Sequence, residues 1–404
     1  MDLNGAMING NPIRLGIIGL GNMGSAHAGS ILRGAAPGVE LVAVADENPA
    51  LLEPYGGLAR FADGGELIAS GKVDAVLIAT PHFSHAPLGI AALEAGLHVL
   101  MEKPISVHKE DCERLLAAYR PGSAQVFAAM FNQRTDPRFI KIRQLIQDGT
   151  LGAVRRVNWE ITDWFRSEQY YKSGAWRATW AGEGGGALLN QCPHNLDLWQ
   201  WLFGMPQRVI ARCQFGRFHD IEVEDSVTAI LEYESSLQGV FVATTGEAPG
   251  SNRLEIAAEN GKLIFDGQQD DLVFIRNEQP SSEFSRTTTL SFSKPGVWHV
   301  RIPVSGAGEQ HAGILKNFAA AIRGEAALIA PAVEGIHSVE LANAMLLSSF
   351  RDQPVAIPLD APAYASELRK RIAGSTFSKK IVARQGVPAD FGKSFQPPPP
   401  GILP

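Results

Sequence analysis

The chain has 404 residues, of which 45% are hydrophobic and 19% charged, a composition typical of a globular enzyme with two or three domains. Its net charge of −6 is spread without long basic runs, so we expect no binding to nucleic acid or to an anionic membrane surface. Three widely spaced cysteines argue against a disulfide framework and a cysteine zinc site, so we expect no metal and a cytoplasmic protein.

The first part of the chain alternates short apolar runs with helical patterns. Residues 1–12 are polar, and we predict neither a signal peptide there nor a membrane-spanning segment elsewhere. From Ile13 the alternation of strands and helices predicts an α/β domain with a doubly wound parallel sheet. The predicted strands are 13–19, 39–46, 73–80, 98–101 and 126–131, and the predicted helices are 23–33 and 88–96. We assign residues 1–135 to this domain.

The pattern changes after residue 138, and we assign residues 136–372 to a second domain. A helix at 139–148 and a strand at 154–162 precede an aromatic loop, a glycine-rich turn and one helix at 187–203. From 208 to 302 we predict antiparallel strands, with a type I′ hairpin turn at Asn260-Gly261. Helices at 312–323 and 333–350 follow, and the sequence leaves open whether they pack back on the first domain. Residues 373–404 form a Pro-rich tail, either disordered or an arm on a neighbouring subunit.

A glycine motif follows the first predicted strand and opens the first predicted helix. Gly19 permits a tight turn, Gly21 lets the backbone approach a diphosphate, and Gly24 allows close packing of helix on strand. The helix N-terminus then offers free N–H groups to the phosphates. Asp46 ends the second strand, where an acid binds the ribose hydroxyls of a dinucleotide. A carboxylate there repels a 2′-phosphate, so residues 1–135 are predicted to be a Rossmann domain that binds NAD rather than NADP.

A lysine stands at the carboxyl end of the strand at 98–101, within Glu102-Lys103-Pro104. Ligands bind at this edge of open α/β sheets, and Pro104 restricts the backbone of Lys103 to an extended conformation. We therefore interpret Lys103 as a functional residue rather than a solvated surface charge.

With these motifs the chain resembles the glucose–fructose oxidoreductase/inositol dehydrogenase family (Gfo/Idh/MocA). The likeness rests on residues 19–24, Asp46, Ala79-Thr80-Pro81 with His85, the triplet at 102–104, Asn132-x-Arg134, and Gly184-Gly185-Gly186 leading to Asn190 and His194. It implies a Rossmann domain followed by a large open, mostly antiparallel sheet, and oxidation or reduction of a secondary alcohol of a sugar or cyclitol with NAD(P). The implied cofactor-binding residues are Gly19, Gly21, Asn22, Met23, Gly24, Asp46, Thr80, Pro81, His85, Glu102, Lys103 and Asn132.

The predicted helix at 187–203 places Asn190 and His194 on one face, with Asp197 one turn further. The resemblance makes His194 catalytic together with Lys103 and Asn190. The family has aspartate where this chain has Asn190, and an amide cannot take a proton near neutral pH. The role of general base therefore passes to His194, with an ordinary pKa near 6.5, or to Lys103. Asp197 is expected to be structural.

The loop at 163–180 combines flat aromatic faces with charged donors, as proteins do when they bind sugar rings. Its candidate substrate-binding residues are Trp164, Arg166, Tyr170, Trp176 and Arg177, joined by Lys103, Asn190 and His194. An equally open alternative is a loop held in place by its aromatic residues or used between subunits. Together with residues 190–194, this loop looks like that of the levoglucosan dehydrogenase-like glycoside 3-dehydrogenases of the family.

We therefore expect NAD-dependent oxidation of a secondary hydroxyl, at C3, of a pyranose sugar, anhydrosugar or glycoside. One alternative is an NAD-dependent glycosidase that uses transient C3 oxidation and elimination, on an anionic glycoside such as a sulfoquinovoside. Others are an inositol dehydrogenase and, remotely, a non-catalytic sugar or NAD sensor. A homo-oligomer, dimer or tetramer, is expected.

Overall fold

Six parallel strands form the first sheet of the computed structural model, which describes residues 11–379. They are β1 Ile13–Ile18, β2 Val39–Ala45, β3 Ala59–Phe61, β4 Ala75–Ile78, β5 His98–Met101 and β6 Phe127–Ala129. Their order, β3-β2-β1-β4-β5-β6, is that of doubly wound dinucleotide-binding folds. The predicted fold of the first domain is confirmed.

Helices cover both faces of this sheet, which explains why its central strands are apolar throughout. All four residues of β4 are buried. The helices are α1 Asn22–Leu32, α2 Pro49–Leu52, α3 Gly64–Ala69, α4 His85–Glu94 and α5 Lys109–Ala118. The sequence analysis did not predict β3, α2, α3 or α5, since these elements are short or, like α5, rich in charged residues.

The second sheet has nine strands and is mostly antiparallel, as predicted. The elements of this part of the chain are, in chain order, α6 Pro137–Gln147, β7 Val154–Ile161, α7 Glu168–Lys172, α8 Ala187–Asn190, α9 Pro193–Phe203, β8 Arg208–Phe215, β9 Glu224–Glu232, β10 Gln238–Thr244, β11 Asn252–Ala258, β12 Gly261–Asp266, β13 Leu272–Asn277, α10 Ser281–Thr287 and β14 Val297–Ile302. β7 and β10 run parallel, and the other neighbouring strands pair antiparallel. One face of this sheet carries the second hydrophobic core, in which Trp159 stacks on Trp199 of α9.

The elements after β14 are α11 Gln310–Ile322, α12 Gly335–Arg351, β15 Val355–Ala356 and α13 Ala361–Gly374. β15 pairs with β8 at the edge of the second sheet, and α13 packs on the second core. Ile314 and Phe318 of α11 belong to the core of the first domain, and the N–H of Ala129 donates to the carbonyl of Ala330 at 2.9 Å. α12 contributes buried residues to both cores. α12 therefore connects the two cores, and α11 packs on the first one.

Two local predictions were wrong. The single helix predicted at 187–203 is two helices, because Pro193 begins α9 and lacks the N–H that would continue the first helix. The hairpin between β11 and β12 exists, but Ala258 pairs with Gly261, so its turn residues are Glu259 and Asn260. Neither has a positive φ, which a type I′ turn requires at both positions.

Within residues 11–379, no helix is both long enough and apolar enough to cross a bilayer. The predictions for residues 1–10 and for the Pro-rich tail from residue 380 lie outside the described residues.

Candidate active site

The glycine turn after β1 has the shape that a dinucleotide requires. Gly19 has a φ of +89°, and a Cβ there would lie 2.8 Å from the carbonyl oxygen of Ala79. A Cβ on Gly24 would lie 1.8 Å from the carbonyl oxygen of Gly19, so the helix can approach the strand only with glycine there. Beside Gly21, by contrast, no atom of the described residues lies within 4 Å of the added Cβ. The open side of the turn therefore leaves room for a diphosphate at the N-terminus of α1.

Asp46, at the end of β2, is held beside this turn. Its carboxylate accepts the N–H of Leu20 at 2.7 Å and the N–H of Asn48 at 2.8 Å. These bonds fix the carboxylate next to the glycine turn without adding a positive charge. The arrangement fits an acid that accepts the hydroxyls of an adenosine ribose.

His85 lies beneath the site. One ring nitrogen is 2.7 Å from the carbonyl oxygen of Pro104, and the other is 2.8 Å from that of Thr80. The buried imidazole thus connects the loops that follow β4 and β5. Within residues 11–379, Thr80 Oγ1 and Asn132 Oδ1 are buried without a hydrogen-bond partner, and Asn132 Nδ2 donates to Gln310 at 2.7 Å. Buried polar atoms without a partner in the protein can form hydrogen bonds with a bound polar ligand.

Glu102 anchors the end of β5 through a buried contact with His27. Its carboxylate lies 2.6 Å from His27 Nε2 and accepts the backbone N–H of Lys103 at 3.1 Å. Burial alone would raise the pKa of Glu102, but the hydrogen bond and charge of His27, with His311 and Lys103, lower it to about 2. Glu102 therefore stays ionised and fixes the backbone of Lys103. Sequence reasoning missed His27, which is distant in sequence and belongs to no motif.

Lys103 crosses from the first domain to the second. Its ammonium donates to the backbone carbonyl of Asn190 at 2.8 Å, and the peptide bond between Lys103 and Pro104 is cis. Burial lowers the pKa of Lys103 from its usual 10.5; Glu102 and Glu183 oppose this shift, and Arg177 and Arg166 add to it. A larger fraction of this amine is thus neutral near pH 8 than in an exposed lysine.

His194 lies in the first turn of α9 and is buried, with its ring edge-to-face against Phe131 at 6.3 Å. Burial, and then the charges of Lys103 and His311, lower the pKa of His194 well below 6.5. The expectation of an ordinary pKa was therefore wrong, and His194 is neutral at pH 7. The charge of Lys103, 91 positions earlier in the chain, thus acts on His194.

Asn190 ends α8, and Glu224 holds the start of this helix in place. The two oxygens of this buried carboxylate accept the N–H groups of Gly186 at 2.8 Å and Leu188 at 2.9 Å, at the start of the helix. The side-chain Nδ2 of Asn190 donates to Glu183, and its Oδ1 lies 3.4 Å from the hydroxyl of Tyr170. Sequence reasoning missed Glu183, which precedes the glycine triplet.

The loop at 163–180 lies over Asn190. Arg177 donates to the hydroxyl of Tyr170 at 3.0 Å and stacks on Tyr170 and Trp176, with centroid distances of 4.8 and 4.5 Å. Arg166 lies 5.1 Å from the ring centroids of Tyr170 and Trp164. The five candidate residues are therefore contiguous. The neighbouring Trp180 and Tyr171 are buried in the core of the second domain.

Asp197 does not face this group. Both of its oxygens accept N–H groups of Arg134, at 2.6 and 2.7 Å, and the pair is almost fully buried. Arg134 follows β6, and Asp197 lies one turn after His194 in α9. The pair therefore holds the two domains together, as the structural role expected for Asp197 requires.

Two family models match the chain. Residues 13–130 match the model described as oxidoreductase family, NAD-binding Rossmann fold, and residues 139–264 match the GFO/IDH/MocA C-terminal domain. Together they span more than half of the 404 residues.

Several known proteins are similar over most of the chain. An inositol 2-dehydrogenase of Rhizobium meliloti is 27% identical over 85% of this chain and 99% of its own length. A levoglucosan dehydrogenase of Pseudarthrobacter phenanthrenivorans is 25% identical over 86% of this chain and 98% of its own. The structure of the WlbA dehydrogenase from Chromobacterium violaceum in complex with NADH and UDP-GlcNAcA is 27% identical, covers 87% of this chain and 98% of its own, and has a TM-score of 0.75.

Proposed function

The chain belongs to the GFO/IDH/MocA family of NAD-binding oxidoreductases, and we propose that it oxidises one secondary hydroxyl, at C3, of a pyranose sugar, anhydrosugar or glycoside. The cofactor is NAD, and the broader activity is that of a dehydrogenase acting on sugars or polyols. The observation that carries the proposal is the hydrogen bond from Lys103, at the carboxyl edge of the first sheet, to the backbone carbonyl of Asn190.

The residues divide into those that hold the cofactor and those that act on the sugar. Backbone groups of residues 19–24 would bind the diphosphate, Asp46 the ribose, and Thr80, Pro81 and Asn132 the nicotinamide side. Glu102 and His85 act on the cofactor only through the strand ends that they fix. When bound, NAD supplies the acceptor for a hydride from the sugar carbon.

Lys103 is the better candidate for the general base. Its lowered pKa makes the neutral amine accessible, and proton transfer by a positioned base contributes about 10²–10⁴-fold to a rate. His194, whose pKa lies well below 6.5, is a weaker base and serves to hydrogen-bond the sugar hydroxyl. Asn190 aligns the substrate, and the aromatic residues of the loop at 163–180 stack on the sugar ring.

An anionic sugar is a second candidate substrate. Arg166 and Arg177 flank Tyr170, and neither forms an ion pair with a carboxylate among residues 11–379. They place two guanidinium groups on this side of the site. Guanidinium groups bind carboxylate or sulfonate oxygens in pairs of hydrogen bonds.

The function is tested with a panel of sugars and NAD, followed by absorbance at 340 nm together with release of aglycone. The panel contains levoglucosan, myo-inositol, 4-nitrophenyl glucoside and the matching 4-nitrophenyl glucuronide. We expect NADH to accumulate with at least one pyranose, and faster with the glucuronide than with the glucoside if the arginines bind an anion. Release of nitrophenol without NADH would instead identify the glycosidase, and oxidation of myo-inositol alone would identify an inositol dehydrogenase. No turnover with any of them would contradict the proposed substrate class.

Asp46 is expected to set the preference for NAD over NADP. Its carboxylate lies where a 2′-phosphate would be repelled. We expect Asp46→Asn to keep only one of the two backbone hydrogen bonds, since an amide has a single acceptor oxygen. We expect NAD to bind about 10-fold more weakly and the preference for NAD over NADP, measured as the ratio of the two Kd values, to fall by about 10-fold, as for the loss of one charged contact. Fluorescence titration with NADH and NADPH measures both constants. An unchanged ratio would contradict this role.

We further propose a homo-oligomer. Exposed apolar side chains line the outer edge strand β14, among them Val297 and Trp298, which are 45% and 50% exposed. Such an edge and patch favour association with a second copy.

A further inference from the structure

A buried carboxylate lies directly behind Asn190. Glu183 is 2% exposed, and it accepts the backbone N–H of Ala178 at 2.6 Å with one oxygen and the side-chain amide of Asn190 with the other. Its own carbonyl oxygen lies 3.2 Å from His82 Nδ1. Glu183 therefore joins the loop at 163–180 to the residue that we place against the sugar.

The hydrogen bonds around Asn190 run in one direction. Arg177 and Gln191 donate to the hydroxyl oxygen of Tyr170 at 3.0 and 3.2 Å, so the single proton of that hydroxyl is left for Asn190 Oδ1 at 3.4 Å. Gln191 also donates to Asn190 Oδ1, at 3.3 Å. Asn190 Nδ2 then donates to Glu183. The chain starts at a guanidinium, which can only donate, and ends at a carboxylate, which accepts. A reversed amide would place Oδ1 against the carboxylate, so the end groups fix the orientation of Asn190.

The charge of Glu183 also acts on the site. Burial raises the pKa of Glu183, while Arg177, the bonds from Asn190 and Ala178, and Lys379 lower it. In the other direction, the carboxylate of Glu183 raises the pKa of Lys103. Residue 190 is a neutral asparagine. The carboxylate of Glu183, which contacts it, lies one side chain further from the proposed sugar position.

We propose that Glu183 is a positioning residue, which fixes the orientation of the Asn190 amide through the bond from Asn190 Nδ2 and supplies the negative charge that residue 190 lacks. The proposal rests on the proposed function, which places Asn190 against the sugar.

The first test is Glu183→Gln, assayed with the best substrate of the sugar panel. Glutamine has one acceptor and one donor group, so it can keep the bond to Ala178 or to Asn190 but not both. We expect kcat and kcat/KM to fall together by about 10- to 100-fold, the size for one hydrogen bond to a charged group, with the Kd for NADH unchanged. The pH midpoint of kcat should also move to lower pH, because Lys103 loses a neighbouring negative charge.

Glu222→Gln is the matched control. This carboxylate also holds the loop, through the N–H of Trp180 at 2.8 Å, but it makes no hydrogen bond to Asn190. We expect the pH midpoint of kcat for Glu222→Gln to equal that of the original chain. If Glu183→Gln behaves like Glu222→Gln, Glu183 is only structural and the proposal is wrong.

The second test moves the carboxylate. Asn190→Asp alone places two carboxylates in contact. In the double variant, Asn190→Asp with Glu183→Gln, the amide of residue 183 can donate to the carboxylate of residue 190, which is the reverse of the original hydrogen bond. We expect the double variant to be at least about 10-fold more active than Asn190→Asp, a non-additive effect typical of residues in contact. This comparison holds even if Glu183→Gln alone does not fold. A double variant no better than Asn190→Asp would overturn the proposal.

A third measurement does not depend on the substrate. The pKa of Lys103 in the NADH complex is followed by NMR of ¹³Cε-labelled lysine, with Lys103→Met for assignment. We expect Glu183→Gln to lower it and Glu222→Gln to leave it unchanged. Failure of the sugar panel would contradict the proposed function and leave this shift intact, whereas an absent shift would refute the charge role of Glu183 itself.

Discussion

Lys103→Met is expected to reduce kcat by about 10³-fold or more, within the 10²–10⁴-fold range of a positioned general base. Methionine keeps the length of the aliphatic chain but cannot accept a proton or donate to the carbonyl of Asn190. The Kd for NADH should change by less than about 3-fold, because the glycine turn and Asp46 hold the other half of the cofactor. Absorbance at 340 nm gives kcat, and fluorescence titration gives the Kd.

Lys141→Met is the control for this variant, since Lys141 lies in α6 and its ammonium donates to the side chain of Gln144. It should have the activity of the original chain. Full turnover by Lys103→Met would show that the proton leaves by another group. In that case His194, despite its low pKa, would be the next candidate.

The parts of the site that sequence reasoning predicted are those set by local geometry. The glycine turn and Asp46 could be predicted because a short local pattern of strand, turn and helix determines their positions. Lys103 follows from its place at the end of β5. The break between α8 and α9 could also have been predicted, because Pro193 marks the first turn of a helix.

The missing parts depend on contacts between distant segments. His27 pairs with Glu102 across 75 residues, and nothing in the sequence near His27 distinguishes it from a surface histidine. Glu183 acquires its role only when the loop folds over Asn190, and His194 acquires its low pKa from burial and from Lys103. Tertiary packing, rather than local sequence, determines these properties.

Asp197→Asn is expected to lower the free energy of unfolding by about 3–5 kcal/mol, because breaking a buried ion pair leaves an uncompensated charge. Arg134 donates twice to Asp197, and its Nη1 donates to the carbonyl of Ile329 at 3.2 Å and to Glu334 at 2.5 Å, whose side chain is 39% exposed. An asparagine can accept one of the two bonds but turns its NH₂ group toward the second. Urea unfolding followed by circular dichroism measures the change.

The surrounding residues give this variant a functional consequence as well. Arg134 belongs to the turn that carries Asn132, and Asp197 to the helix that carries His194, so the pair sets the spacing between the cofactor side and the sugar side. We expect kcat to fall by about 10-fold, consistent with small displacements of catalytic groups. Glu255→Gln, which breaks the ion pairs with Arg156 and Lys262 at the surface, should cost about 1 kcal/mol or less and leave kcat unchanged. A double variant, Arg134→Met with Asp197→Leu, should recover stability, since apolar replacements of buried pairs are often tolerated. If Asp197→Asn unfolds like Glu255→Gln, the pair does not hold the domains together, and the alignment of Asn132 with His194 has another origin.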